Sequence, residues 1–169
     1  MIILETERLL LRYLVPQDIP LLINLWTDPD VTRFMGGPRD VETLQKNLKK
    51  TAQNPSAEQF DLWPLIERSS GNLIGNCGLL AKEVGGVTEY EVIYVLAKNA
   101  WGNGYASEIG RALGTYAYHV RGINRLVALV QPENTASERV AQKMGMRLEK
   151  EIVRPEGGIR RLYAMYLPH

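Results

Sequence analysis

A single cysteine, Cys77, stands in 169 residues, which excludes an intramolecular disulfide framework and any multi-cysteine zinc site. Charge of either sign is not in excess either. Twenty Lys and Arg face 19 Asp and Glu, for a formal net charge of +1. That balance argues against a nucleic-acid protein relying on a clustered basic footprint. The short Lys46, Lys49, Lys50 run reads as a solvated helix face. No apolar stretch approaches the roughly 18 residues of a membrane span. The opening Met1-Ile2-Ile3-Leu4-Glu5 leads straight into charged residues, without the n-region and h-region of a signal peptide. Repeats, linkers and low-complexity tracts are missing too. These absences point to a soluble, cytoplasmic chain forming one domain over residues 1–169. At that length roughly 70% of the unfolded chain's surface can be buried.

What is present divides into two rhythms. Arg8 to Leu14 is a short apolar run stopped by Pro16 and reads as a buried strand. Asp18 is positioned to cap a helix through Leu21, Leu22, Leu25 and Trp26, ended by Asp28-Pro29-Asp30. A polar helix over Val41 to about Ala52 turns Leu44 and Leu48 inward. Three hairpin-linked strands follow: Phe60–Ile66, Leu73–Leu80 with a bend or bulge at its glycines, and Tyr90–Leu96 after the Gly85-Gly86 turn.

The second half alternates helices and strands. A helix opens near Tyr105 with Ala106, Ile109, Leu113, Tyr116 and Val120 as its buried stripe, and Gly122 stops it. Arg125–Val130 is a strand, and Ala136–Met144 a helix with Ala136, Val140 and Met144 inward. A hairpin pairs Leu148–Val153 with Arg161–Leu167. The order is β-α-α-β-β-β-α-β-α-β-β. It predicts an α/β fold of the α+β kind, a central twisted mixed sheet flanked by helices.

Three constellations bear chemistry. The first is the turn Trp101-Gly102-Asn103-Gly104-Tyr105-Ala106-Ser107 between a strand and a helix. Its glycines allow close backbone approach, and backbone N–H groups at the positive end of a helix dipole cradle phosphate. A purely structural strand-to-helix turn is the competing reading. It is no P-loop, for no Lys-Ser/Thr follows, and Ser107 replaces the third glycine of a dinucleotide fingerprint. The second is Asn134-Thr135-Ala136-Ser137-Glu138, where Thr135 and Glu138 have capping-box spacing. With Thr135 as cap, Asn134 lies just outside the helix with its amide free, and Ser137 lies in the first turn. The third is Glu91, whose alternation partners Ile93 and Val95 are apolar. A carboxylate desolvated beside them can serve as a general base, whereas one beyond a bulge is only an exposed charge.

Together these segments resemble the GNAT N-acetyltransferases, and within them the RimJ/RimL branch. The resemblance is carried by Glu7–Arg12, Trp26–Val31, Ile74-Gly75, Trp101–Glu108, and Asn134, Ser137 and Lys143–Gly145, in family order. It implies acetyl-CoA as acyl donor, a primary amine on a peptide N-terminus or small molecule as acceptor, and no metal. Trp101 to Ser107 would hold the coenzyme pyrophosphate, with Trp101 in place of the usual Gln or Arg. Tyr94, Val95 and Leu96 would pair with the pantetheine arm, which Asn134 would also contact. Many relatives carry a tyrosine seven residues after that asparagine, but here the position is Ala141. Ser137 is the branch's substitute as thiolate acid, and Glu91 matches its acidic residue.

Cys77 is then a small core residue and His119 a helix-end dipole partner. Trp26, Phe34, Met35 and Tyr163 are candidates for the walls of the acceptor pocket, and apolar edge strands leave a homodimer possible. The rival reading is a non-catalytic acyl-CoA-binding module that serves a partner protein.

Overall fold

The computed structural model describes residues 1–168. In chain order it has β1 (Ile2–Glu5), β2 (Leu9–Arg12), α1 (Ile19–Thr27), α2 (Val41–Gln53), β3 (Leu62–Glu67), β4 (Leu73–Val84) and β5 (Val87–Leu96). Then come α3 (Tyr105–Arg121), β6 (Arg125–Val130), α4 (Thr135–Lys143), β7 (Arg147–Val153) and β8 (Ile159–Tyr166). The strands run β1-β2-β3-β4-β5-β6-β8-β7 across an eight-stranded sheet. It is mixed, as expected: β5 and β6 are parallel at Glu91↔Val127, while β6 and β7 each pair antiparallel with β8. The expected order lacked β1, which pairs with β2 from Ile2↔Arg12 to Glu5↔Leu10. Two half-buried residues between two exposed ones carry too little alternation to announce a strand, and pairing makes it one.

The chain divides into two compact units. The first comprises Met1–Gly78 and Tyr94–Tyr105. Leu9, Leu11, Leu22 and Leu65 are fully buried in it, and α1 adds Ile19, Leu25 and Trp26, leaving Leu21 exposed. Asp18 precedes α1 but makes no cap bond. Pro20, second in the helix, has no N–H to offer it. The buried carboxylate instead takes both Arg12 terminal nitrogens, at 2.7 and 2.9 Å, and the Val15 N–H at 2.9 Å. On α2 the cap is Asp40, which accepts the Thr43 N–H at 2.9 Å, and Leu44 and Leu48 are half-buried.

In β4 the register slips opposite Leu65 and Ile66, which gives the expected bulge beside Gly75. Close approach explains the glycines themselves. A β-carbon on Gly75 would stand 2.5 Å from the Val95 carbonyl oxygen, and one on Gly78 would overlap that of Asp61.

The second unit comprises Leu79–Ile93 and the chain from Ala106 onward. Gly85 and Gly86, at φ +58° and +79°, form the two-residue turn between β4 and β5. Ile109, Leu113, Ala117, Leu126, Val127 and Leu162 are fully buried. Of the stripe expected on α3, Ile109 and Leu113 are buried and Ala106 and Tyr116 half-buried, but Val120 is 60% exposed, and Gly110 and Gly114 face inward as well. A β-carbon on Gly110 would overlap the Met144 sulfur, and one on Gly114 would lie 2.8 Å from the Met165 methyl. Glycines are invisible to a count of apolar side chains, yet here they form the contact face. On α4 Ala141 is buried and Val140 half-buried, Met144 just past its end is buried, and Ala136 is exposed.

Candidate active site

The glycine turn lies in the first unit. β5 delivers Tyr94, Val95 and Leu96, of which Val95 is buried and its two neighbours half-buried. The Leu96 carbonyl accepts the Trp101 indole N–H at 3.0 Å, so the half-exposed ring folds back on its own strand. Asn103 ties the turn internally, donating from Nδ2 to the carbonyls of Ala100 and Trp101 at 3.1 and 3.2 Å. Gly102 and Gly104 both have φ +77°, the left-handed region that glycine alone enters without strain.

Nothing stands within 4 Å of where a Gly102 β-carbon would be, and at Gly104 only Arg8 does, at 3.6 Å. Arg8 also donates to the Asn103 carbonyl at 2.8 Å and lies over the Tyr105 ring, 4.6 Å from its centroid. The Tyr105 hydroxyl donates to Glu67 at 2.6 Å. Hydroxyls of Ser70 and then Tyr105 hold the Glu67 carboxyl below the usual glutamate range. A pocket of about 450 Å³ lined by Glu7, Arg8, Arg68, Ser69 and Tyr105 adjoins the turn.

An open glycine backbone, a guanidinium beside it and a helix starting at Tyr105 suit a phosphate-bearing ligand. The first turn of a helix lacks acceptors for its N–H groups within the helix.

The remaining candidates belong to the second unit. Ala106 and Ser107 open α3, Ala106 half-buried and Ser107 buried. Glu91 is 7% exposed, on the buried face the alternation indicated. Its Oε2 lies 2.9 Å from the Lys82 ammonium, a partner the motif reading did not name. At the start of α4 the capping expectation is corrected. Asn134, not Thr135, is the cap, and its Oδ1 accepts the Ser137 N–H at 3.2 Å. The expected free amide is therefore half engaged, and its Nδ2 makes no hydrogen bond to a described residue.

Ser137 is half-buried in the first turn. Glu138 does not return to the backbone as a capping box requires. It accepts from the Tyr163 hydroxyl at 2.6 Å and from Arg161 at 3.2 Å. Burial, then the Glu138 carboxylate, pushes the Tyr163 phenol up to about 12.

Of the residues proposed to wall an acceptor pocket, Tyr163 is buried. So is Trp26, whose indole N–H donates to the buried Asn76 at 3.0 Å; Phe34 and Met35 are half-buried. Arg39 lies over the Trp26 ring at 4.9 Å and donates to the carbonyls of Met35 and Gly37, fixing the loop after α1. Cys77 is fully buried, and burial pushes its thiol up to about 12. Among the described residues no group of three or more His, Cys, Asp or Glu could hold a metal ion.

The acetyltransferase (GNAT) domain family matches residues 8–147, and the chain belongs to that family. Its members take their acetyl group from acetyl-CoA. An uncharacterized N-acetyltransferase of Bacillus licheniformis, p20, is 31% identical over 168 residues, covering 97% of this chain and 93% of its own. The crystal structure of a GNAT-family acetyltransferase from Bacillus anthracis shares 28% identity at a TM-score of 0.81, covering 98% of both chains. RimL, the ribosomal L7/L12 alpha-N-protein acetyltransferase in complex with coenzyme A, has the same fold at 19% identity and a TM-score of 0.78, over 98% of both chains.

Proposed function

We propose that the chain is an acetyl-CoA-dependent N-acetyltransferase of RimJ/RimL type, acting on a primary amine by direct attack in a ternary complex. Residues 1–169 act as one domain. The observation that carries the reading is the open turn at Gly102 and Gly104, which leads into α3 with Arg8 beside it. Backbone from Trp101 to Ser107 holds the pyrophosphate, Tyr94 to Leu96 pair with the amide-bearing arm, and the Asn134 Nδ2 donates to it.

Acetyl-CoA supplies an activated thioester. A C–N bond forms at its carbonyl carbon, the C–S bond breaks, the amine gives up a proton and the thiolate gains one. Glu91 draws the amine's proton, directly or through water, a backbone N–H near Tyr94 stabilises the oxyanion, and Ser137 donates toward sulfur. A buried carboxylate beside the apolar Ile93 and Val95 supports the first role, with the Lys82 ammonium 2.9 Å from it. The free half of the Asn134 amide supports the contact with the arm.

Thermal unfolding with and without acetyl-CoA, with NAD and ATP as controls, tests the reading. At about a hundred times the dissociation constant, binding adds roughly 2.7 kcal/mol. For a chain of this size that raises the midpoint by roughly 5–10 °C. A shift with acetyl-CoA alone supports the donor site; no shift removes it. A non-catalytic acyl-CoA module is favoured by one observation, the closed Ala141 position where many relatives carry a tyrosine. Transfer of the acetyl group to any amine well above the uncatalysed rate dismisses that module.

A further inference from the structure

Arg8 sits in the short connection from β1 to β2, 95 residues from the carbonyl it binds. This one side chain reaches three consecutive residues of the turn. Its Nη1 donates to the Asn103 carbonyl at 2.8 Å, its Nη2 lies 3.6 Å from a β-carbon position on Gly104, and its plane covers the Tyr105 ring. The far end of that ring is fixed in turn by Glu67, the last residue of β3.

A trans peptide is planar, so its C=O and the following N–H point in opposite directions. Holding the Asn103 oxygen therefore sets the direction of the Gly104 N–H. Turning that peptide over changes ψ of Asn103 and φ of Gly104, and glycine at φ +77° resists the change less than any other residue. A turn built from glycine for close approach needs an outside tie to keep one shape, and Arg8 supplies it.

We infer that Arg8 is a positioning residue of the glycine turn, holding the Asn103–Gly104 peptide in one orientation. The inference rests on the reading that this turn takes the coenzyme pyrophosphate. Nothing in the motif reading gave Arg8 a role beyond membership of the Glu7–Arg12 segment.

The test compares wild type with Arg8→Gln and Arg8→Lys. It uses acetyl-CoA titration calorimetry, steady-state kinetics and amide hydrogen exchange of the unliganded protein by NMR. Arg8→Gln is expected to raise Kd and KM for acetyl-CoA about tenfold, the effect of losing one charge-assisted hydrogen bond. The same variant leaves kcat at saturation within about twofold, because pre-organisation acts on binding. Gly104 exchange is expected to quicken in Arg8→Gln, while core amides keep their protection.

Arg8→Lys keeps the charge and loses the planar fork, so it recovers little. Full recovery by lysine would reduce Arg8 to a distant charge and overturn the inference, as would wild-type affinity and Gly104 exchange in Arg8→Gln. If Arg8→Gln does not fold, Tyr105→Phe removes the Glu67 tie and is expected to move both readouts the same way by less; no movement overturns the inference. A wild type that binds no acetyl-CoA overturns the donor reading instead. The inference then stands or falls on Gly104 exchange alone.

Discussion

The Lys82 ammonium lies 2.9 Å from Oε2 of Glu91, and the Glu91 side chain is only 10% exposed. A carboxylate this enclosed needs its partner, because removing one member of a buried pair leaves an uncompensated charge. Lys82→Met is expected to destabilise the fold by about 1–3 kcal/mol. Adding Glu91→Gln should return part of that loss. Urea unfolding of the four proteins of the cycle gives the coupling, and strict additivity would show the pair is energetically idle.

The proposed base role of the same carboxylate predicts a separable kinetic signature. Glu91→Gln is expected to lower turnover most on the acid side, where the acceptor amine is protonated, with acetyl-CoA affinity unchanged. Equal activity of the variant and the wild type at every pH removes Glu91 from the mechanism.

Glu67 offers a test by pH. Hydrogen bonds from Ser70 and Tyr105 hold its carboxyl below the usual range. Its ionised form is therefore favoured in the folded state. That contribution is fully present above the unfolded value and is lost as pH falls through the lower, folded value. Glu67→Gln should melt below wild type at neutral pH, and the two melting curves should converge on acidification. Parallel curves at every pH would mean the hydroxyls contribute nothing through ionisation.

Cys77 is expected to be inert. Its thiol is pushed up to about 12 and is fully buried in β4. An aromatic disulfide reagent at pH 8 should therefore titrate no thiol in the folded chain and one after denaturation. Rapid labelling of native protein would contradict that burial.

Two glycine-to-alanine changes should differ in cost. At Gly78 the new β-carbon would overlap the Asp61 carbonyl, part of the backbone, whereas at Gly110 it would meet the flexible end of Met144. Gly78→Ala is expected to cost about 3 kcal/mol or more and Gly110→Ala about 1–2 kcal/mol, measured by denaturant unfolding. The reverse ranking would place the rigid contact at α3.

Turn glycines and apolar runs announced most of the elements. Gly85-Gly86, Gly122 and Gly145 all fall where the chain reverses or a helix stops, each at positive φ. What pattern reading misplaced were the choices among polar partners. Asp18 has cap spacing but a better partner in Arg12, and Asn134 competes with Thr135 for one helix start.

Lys82 carried a readable signal. A two-residue turn at Gly85-Gly86 sets Leu80 opposite Glu91, with Lys82 two residues on along the same face. Arg8 and Glu67 carried none. They reach the turn across 95 residues to Asn103 and 38 to Tyr105, distances over which no local pattern operates.

Ala141 sits with no solvent exposure on the inner face of α4, one turn from Met144. That bears on how variation at this position can arise. A tyrosine introduced there would have to displace packed neighbours before its hydroxyl could reach any ligand. Exchange between alanine and tyrosine at this position is therefore a change of core as much as of chemistry. A lineage would cross it through compensating substitutions around α4 rather than by one codon.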